Sequence, residues 1–247
     1  MKNFLSPRLV LIANKVAKMP FAKALLKPFY YSYKEKLKKK RSAAFHKNAL
    51  TVLKQFDECL TTHNIKYFLI FGSMLGAVRE KGFIGHDLDI DVAIWYDDYT
   101  PQIQKVLEQA GFMLIHSHEI DGGRLAKEDT YAKYDVSIDI FFVYNAIDSY
   151  PYICSKWQPV QGYVTKRESM QKAGYITGKR LELPLSKEII RVPFENLMLP
   201  IPRNSHEVLK FYYGDDYLSP NNKWSEAKDF PYRKEWPEKK ALYIEYE

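Results

Sequence analysis

The stretch from Phe68 to Ile94 reads FLIFGSMLGAVREKGFIGHDLDIDVAI and decides the fold of this 247-residue chain. The apolar run from Tyr67 to Phe71 is rich in aromatic and branched residues, which predicts a short buried strand. Gly72-Ser73 interrupts that run, and Met74 to Glu80 then predicts a short helix. We therefore expect a strand, a tight loop and a helix in immediate succession.

Acidic and apolar residues alternate directly after this unit, from Asp87 to Val92. Side chains on a strand point alternately to opposite faces, so Asp87, Asp89 and Asp91 are expected to share one face. Three neighbouring carboxylates repel one another and resist removal from water, and such a face needs a positive partner. Hard divalent cations prefer oxygen ligands, so we predict a site for Mg²⁺ or Mn²⁺. The alternative is an exposed edge strand whose acids face water.

Neighbouring residues favour the metal site over the solvated edge strand. Gly72-Ser73 lies between a strand and a helix, where backbone N–H groups and a hydroxyl can hold a phosphate. Arg79 stands between that loop and the acids, and the apolar run Val136 to Val143 carries one acid, Asp139. An unpaired charge in such a run would be costly. Together these features form the layout of a two-metal nucleotidyltransferase.

The same stretch resembles the signature of the LicD/fukutin-type transferases, which usually reads G-T-L-L-G-A-x-R and then G-F-I-P-W-D-D-D-I-D. Twelve residues stand at matching positions: Gly72, Leu75, Gly76, Ala77, Arg79, Gly82, Phe83, Ile84, Asp87, Asp89, Ile90 and Asp91. Weaker matches follow at Pro200-Ile201-Pro202 and Tyr213-Gly214-Asp215, so the resemblance spans about residues 45 to 220.

This sequence departs from the family signature at three places. Ser73 stands where Thr is common, and Gly85-His86 replaces Pro-Trp. Leu88 replaces the middle Asp of the triple, but the three acids expected on one face are kept. Because of the exchange at His86, the resemblance does not fix which side chains form the wall beside the site or which substrate is bound there.

The resemblance implies an α+β, nucleotidyltransferase-like fold and transfer of a substituted phosphate from a CDP-activated donor to a glycan hydroxyl, releasing CMP. Phosphocholine, phosphoethanolamine, ribitol phosphate and glycerol phosphate are the groups it suggests. The acceptor would be a glycan or lipid-linked glycan in the modification of lipopolysaccharide, capsule or teichoic acid.

The expected roles fall on seven residues. Asp87, Asp89, Asp91 and Asp139 would bind the metal ions, and Asp139 would complete the second metal site or take the acceptor's proton. Asp89, Asp91 and Asp139 are the expected catalytic residues. Gly72, Ser73 and Arg79 would hold the donor phosphate, although Arg79 could equally form an ion pair that braces the acids.

Two other functions fit parts of the pattern. One keeps the fold and transfers a whole nucleotide to a small molecule or protein, with release of pyrophosphate. The other is a membrane-associated scaffold without catalytic activity, which the presence of all four acids disfavours.

The remaining pattern predicts an α+β domain over residues 43–247, with a mixed or largely antiparallel sheet flanked by helices. Ala43 to His63 carries one apolar stripe and predicts a helix, and Asp121-Gly122-Gly123 predicts a hairpin turn. His116 and His118 are interpreted as ordinary strand residues, not a metal pair. The C-terminal part is expected to be irregular, and Trp224 to Glu247 to have no regular structure. No dinucleotide-binding or P-loop motif is present.

The net charge of +7 is unevenly distributed. Met1 to Arg41 contains twelve Lys and Arg against one acid, Glu35, a net charge of +11. The rest of the chain has 25 Lys and Arg against 29 Asp and Glu, a net charge of −4. A nucleic-acid partner is therefore not expected, since the body lacks the basic excess that such a surface needs.

Residues 1–42 predict a basic amphipathic helical arm, in which Pro28 is expected to kink or break the helix. Its longest apolar run, Leu9 to Ala13, is too short to span a bilayer. Basic residues mixed with aromatic ones suit an anionic membrane surface. We expect a cytoplasmic protein on the inner leaflet of the cell membrane, and the alternative is an arm packed on the body or a second copy. Cys59 and Cys154, far apart in sequence, fit a reducing compartment.

Overall fold

The computed structural model describes residues 20–221, 233–236 and 238–246. It forms two units, Met1–Ala43 and Ala44–Glu247. The apolar run Leu9 to Ala13 lies outside the described residues, and so does most of the predicted C-terminal tail.

Helix α1 extends over Pro20–Thr62 and is continuous through Pro28, so the predicted break is absent. In its second half one stripe is buried, comprising Phe45, Ala49, Val52, Phe56 and Leu60, as the spacing predicts. Asn64 follows with a left-handed φ of 55°, and the N–H of Ile65 donates to the carbonyl of Leu60 at 2.9 Å. No described helix is long and apolar enough to cross a membrane.

The described part of the body contains four further helices and eleven strands. The helices are α2 Phe71–Arg79, α3 Gln102–Gln109, α4 Lys166–Ala173 and α5 Ser205–Tyr213. The strands of the main sheet are β1 Phe68–Leu69, β2 Asp89–Trp95, β3 Met113–Ile120, β4 Ala126–Lys133, β5 Val136–Val143, β6 Tyr152–Pro159, β7 Ile176–Glu182, β10 Arg233–Glu235 and β11 Ala241–Glu245. A separate hairpin pairs β8 Ile189–Phe194 with β9 Leu197–Pro202.

The main sheet is mixed and has the order β1-β2-β5-β4-β3-β11-β7-β10, with β6 paired to β7. Strands β2 and β5 are parallel, whereas the other neighbouring pairs are antiparallel. This confirms the predicted α+β class with a mixed sheet flanked by helices.

The C-terminal tail corrects one prediction. Residues 241–245 form β11, which lies between β3 and β7 and pairs antiparallel with both. Arg233–Glu235 forms β10 on the outer edge of β7. The tail was expected to lack regular structure, because charged residues and prolines hide its strand pattern. Its pairing partners, β3 and β7, lie more than fifty residues earlier in the chain. The local sequence of the tail therefore does not indicate that it pairs with them.

Deleting residues 241–247 should destabilise the body. Five residue pairs join β11 to β3, and a backbone hydrogen bond contributes about 0.5–1.5 kcal/mol net. We expect the free energy of unfolding in urea to fall by at least about 2 kcal/mol. The control is Leu242→Ser, an exposed side chain on the same strand, which should change it by less than about 0.5 kcal/mol. Equal midpoints for the deletion and the full chain would show that β11 is dispensable.

Candidate active site

The parallel register of β2 and β5 brings the two predicted acidic strands together. Asp91 on β2 lies opposite Asp139 on β5, and Asp89 lies opposite Ser137. On β2, Asp89 and Asp91 are partly exposed while Ile90 is fully buried, so the predicted alternation of faces is present. Residues directly opposite each other on neighbouring strands share a face. The structure therefore places Asp89, Asp91 and Asp139 on one face of the sheet.

Asp87 reaches the same place from a turn, not from the strand that was predicted to include it. Its Oδ2 accepts a hydrogen bond from the N–H of Ile84 at 2.8 Å, and β2 begins only at Asp89. A methyl group on Gly72 would lie 3.6 Å from both Asp87 Oδ1 and Asp91 Oδ2. Gly72, Asp87 and Asp91 thus meet at one point.

The strand-to-helix turn at Gly72 is sharper than predicted. Helix α2 begins at Phe71, so Gly72-Ser73 forms its first turn and not a separate loop. Phe71 has a φ of 47°, a left-handed value that is costly for a bulky residue. Its ring packs edge-on against Phe141 at 5.1 Å between centroids and lies at the same distance from Tyr212. This packing holds the strained turn and directs the start of α2 toward the acids.

Ser73 fastens α2 to the acidic strand. Its side chain is buried, and its Oγ accepts a hydrogen bond from the N–H of Asp91 at 2.9 Å. The N–H of Ile70 donates to the carbonyl of Asp91 at 3.2 Å. A hydroxyl that accepts one bond keeps its own hydrogen for another partner. Ser73 thus has a structural role in joining α2 to β2. Its contact with a phosphate stays a prediction.

Two glycines of the motif let the chain fold back after α2. A side chain on Gly76 would collide with the carbonyl oxygen of Gly82, and one on Gly82 would collide with the carboxylate of Glu195. The N–H of Glu195 also donates to the carbonyl of Lys81 at 2.6 Å. This close packing returns the chain to the start of α2, which is why Asp87 lies beside Gly72.

Arg79 lies mostly buried between its neighbours. Its Nε donates to Glu80 Oε1 at 2.7 Å, and its Nη1 donates to the carbonyl of Tyr217 at 3.4 Å. Its charge also opposes the rise in the pKa of Asp87. These contacts hold Arg79 against Glu80 and Tyr217. Its bracing of the acids and its contact with a phosphate both stay predictions.

The acids raise one another's pKa values. Burial raises the pKa of Asp87 to about 6, against the opposing effect of the Ile84 N–H bond and the charge of His86. Burial, and then the charges of Asp89 and Asp139, raise the pKa of Asp91 well above its usual range. Carboxylates that are this costly to ionise together form a site of strong attraction for a cation.

The donor set fits a cation that a substrate helps to hold. Among the residues that the structure describes, no three His, Cys, Asp or Glu side chains are arranged to bind a metal ion on their own. Mg²⁺ is commonly held by one or two carboxylates together with substrate phosphates. The pair formed by Asp91 and Asp139, with Asp87 and Asp89 beside it, suits that mode. The four-aspartate ligand set stays a prediction.

The structure adds two residues that the sequence did not indicate, Glu128 and Thr130 on β4. Thr130 Oγ1 donates to Asp139 Oδ1 at 2.6 Å. Trp157 Nε1 donates to Glu128 Oε2 at 2.7 Å, and burial followed by the charge of Asp139 raises the pKa of Glu128 to about 8. Only the register of β4 on β5 reveals their position.

The sequence of this part of the chain is similar to those of known proteins. A family model described as LicD/FKTN/FKRP, nucleotidyltransferase domain, matches residues 64–204, more than half of the chain.

Three curated relatives illustrate the similarity. The uncharacterized protein RT0683 of Rickettsia typhi is 37% identical over 83 residues, 32% of this chain and 27% of that protein. The ribitol-5-phosphate transferase FKTN of Mus musculus is 32% identical over 109 residues, 42% of this chain and 22% of that protein. FKTN of Homo sapiens is 24% identical over 196 residues, 77% of this chain and 37% of that protein. The matched part of the chain therefore spans well under half the length of these relatives.

The packing of Gly76 on Gly82 leads to a stability prediction. Gly76→Ala should lower the free energy of unfolding by about 1–3 kcal/mol, because its methyl group has no room beside the Gly82 carbonyl. The control is Gly85→Ala, where a methyl group would meet nothing within 4 Å. Urea denaturation of both variants checks this. Equal stability of the two would remove the close approach of Gly76 and Gly82 as the reason for these glycines.

Proposed function

This chain belongs to the LicD/FKTN/FKRP family, and from that membership we propose that it is an enzyme that transfers a substituted phosphate from a CDP-activated donor to a glycan hydroxyl. CMP is the leaving group. Relatives named ribitol-5-phosphate transferases make ribitol phosphate the first candidate for the transferred group, with glycerol phosphate and phosphocholine as alternatives.

One observation carries the proposal: Asp87, Asp91 and the first turn of α2 meet at Gly72, and Asp139 lies directly opposite Asp91. The first N–H groups of a helix have no partner within the helix and carry partial positive charge. In the proposal they bind the donor diphosphate at Gly72 and Ser73, as helix N-termini bind phosphates elsewhere. Arg79 contributes positive charge from the far end of α2.

A divalent cation, Mg²⁺ or Mn²⁺, held by Asp87, Asp89 and Asp91 would neutralise the diphosphate and stabilise the departing oxygen. The acceptor oxygen forms a bond to the phosphorus that carries the ribitol or other substituent. The bond from that phosphorus to the bridging oxygen breaks, and the bridging oxygen leaves as part of CMP.

Asp139 is the base in this scheme and takes the proton of the acceptor hydroxyl. Thr130 fixes the orientation of the base by donating to Asp139 Oδ1. Asp89 and Asp91 would hold the cation, whose positive charge favours their ionised forms. The scheme thus uses the carboxylate of Asp139 as the base and those of Asp87, Asp89 and Asp91 to hold the cation.

The proposed setting is modification of a cell-surface polysaccharide at the inner face of the cell membrane. Residues 1–41 carry a net charge of +11 against −4 for the rest of the chain. In the described part of this segment the side chains of Lys36 and of Lys38 to Arg41 are exposed. A basic segment of this kind gains on the order of 1 kcal/mol per charge near an anionic leaflet.

Asp91→Asn should abolish transfer and leave the fold intact, since removing one of several repelling charges does not destabilise the cluster. The measurement is CMP release from CDP-ribitol, CDP-glycerol and CDP-choline with Mg²⁺ and a glycan acceptor, with circular dichroism to check folding. Asp98→Asn, the same change at an exposed acid, is the control and should keep full activity.

Activity of Asp91→Asn within about tenfold of the unmodified protein, or roughly 1.4 kcal/mol in barrier height, would contradict the assignment. Release of pyrophosphate from a nucleoside triphosphate, without CMP release from any CDP donor, would instead identify a nucleotidyltransferase.

Deleting residues 1–41 should abolish binding to vesicles of phosphatidylserine and phosphatidylcholine, because the basic charge is lost with the segment. Flotation at low salt checks this, and binding of the full chain should fall at 0.5 M NaCl, where charge interactions are screened. Equal flotation of both proteins, or of neither at low salt, would favour an arm that packs on protein.

A further inference from the structure

The acidic face of β2 and β5 continues across three more strands as a row of polar side chains. Successive cross-strand pairs connect Asp91 to Asp139, Asp139 to Thr130, Thr130 to His116 and His116 to Glu245. Directly opposite residues share a face of a sheet, so all five side chains lie on the side of the aspartates. We name this row the polar strip: Asp91, Asp139, Thr130, His116 and Glu245.

The buried residue His118 lies beside the strip, two residues after His116 on β3. His118 is opposite Glu128 on one side and Tyr243 on the other. The indole of Trp157 stacks parallel on the His118 ring, at 5.1 Å between centroids, and donates to Glu128. A methyl group on Gly178 would lie 2.6 Å from the Trp157 ring. Only glycine at that position allows the indole to lie where it does.

Lys166 is the first residue of α4 and packs on His118. Thr165 caps the helix by accepting a hydrogen bond from the N–H of Glu168 at 3.0 Å. Lys166 Nζ donates to His118 Nε2 at 2.7 Å and lies 4.6 Å from the centre of the Tyr243 ring. An ammonium group has three N–H donors, and the bond to His118 uses one of them.

His118 holds Lys166 as a neutral acceptor. Burial and then the Lys166 charge lower the pKa of His118 to about 2. Since Nε2 accepts from Lys166, the ring hydrogen belongs on Nδ1, which lies 3.8 Å from Glu128 Oε1. Glu128, His118 and Lys166 thus lie in a column from the buried strand β4 to the surface of the strip. Lys166 is bonded to His118, whereas His118 Nδ1 has no hydrogen-bond partner in the part of the chain that the structure describes.

Helix α2 and the column lie on opposite sides of Asp139. The start of α2 contacts the acids at Gly72, beside Asp87 and Asp91. The strip leaves Asp139 in the opposite direction, through β4 and β3. In phosphoryl transfer the attacking and leaving oxygens are roughly in line. With the donor on α2, the acceptor therefore approaches Asp139 along the strip.

The charges on the strip indicate what kind of acceptor it suits. The strip carries three carboxyl groups, those of Asp91, Asp139 and Glu245, and Arg167 is already paired with Glu245 at 2.6 Å. An anionic group would be repelled, whereas hydroxyls could bond both to N–H donors and to carboxylate or ring acceptors.

We propose that Lys166 and His116 form the acceptor subsite and bind a neutral sugar, with Lys166 donating to one of its hydroxyls while another hydroxyl faces Asp139. Thr130 Oγ1 donates to Asp139 Oδ1 and lies 3.0 Å from His116 Nε2, so Thr130 positions both of these side chains. This inference rests on the proposed function, since it takes the donor to bind at α2. The opposing explanation is that Lys166 only neutralises Glu128 and Asp139, whose charges raise its pKa against the larger effect of burial.

The first experiment measures sugar binding without chemistry. Saturation-transfer NMR with methyl glycosides of glucose, galactose, mannose, N-acetylglucosamine and N-acetylgalactosamine gives the Kd of the full chain for each. Lys166→Met keeps the aliphatic stem over Tyr243 and removes the donor. The control is Lys172→Met, an exposed residue of the same helix.

At least one glycoside should bind the unmodified protein, with Kd at least tenfold higher for Lys166→Met and within twofold for Lys172→Met. Absence of binding by all five sugars, or equal Kd values for Lys166→Met and the unmodified protein, would overturn the proposal. His116→Ala, at a half-exposed position, should also weaken binding and decides the matter if Lys166→Met does not fold.

The second experiment separates the subsite from general support of the fold. Calorimetric titration with CDP-ribitol and Mg²⁺ should give donor Kd values for Lys166→Met within twofold of the unmodified protein. Equal weakening of donor and sugar binding would assign Lys166 a structural role only and overturn the proposal. If CDP-ribitol, CDP-glycerol and CDP-choline all fail to bind the unmodified protein, the proposed function is wrong, while the sugar titration still decides the subsite.

Discussion

The repulsion between carboxylates on one face of the sheet is the constraint on which the rest of the structure depends. Asp91 and Asp139 are held side by side by the parallel register of β2 and β5, and Asp87 is brought to the same point by the turn at Ile84. Burial and mutual repulsion raise the pKa values of Asp87 and Asp91. Such a cluster is costly for the folded protein and is retained where a positive ligand compensates it.

The surrounding elements hold the acids in place at some further cost. Phe71 adopts a left-handed backbone conformation so that α2 can start beside the acids, and the aromatic packing of its ring compensates the strain. A side chain on Gly76 would collide with the carbonyl oxygen of Gly82. A strained turn and an obligatory glycine close to one acidic cluster are typical of a site whose geometry matters more than local stability.

The same face extends the site well beyond the motif. Thr130 orients Asp139, and the column of Glu128, His118 and Lys166 reaches the surface next to it. Because β5, β4 and β3 are neighbours in the sheet, residues of three separate strands form one continuous polar surface. In the proposed reaction the donor binds at α2 and the acceptor binds on the strip, on the other side of Asp139.

The sequence by itself determined the acidic face, since the alternation around Asp89 and Asp91 and the apolar run around Asp139 are local patterns with a period of two. It also determined the helical stripe of α1 and the mixed α+β class. Only the tertiary structure decided that helix α2 starts at Phe71, that β11 is inserted between β3 and β7, and that Glu128, His118 and Lys166 meet. These features depend on strand register and on contacts between residues far apart in the chain, and a local pattern of side chains carries no information about either.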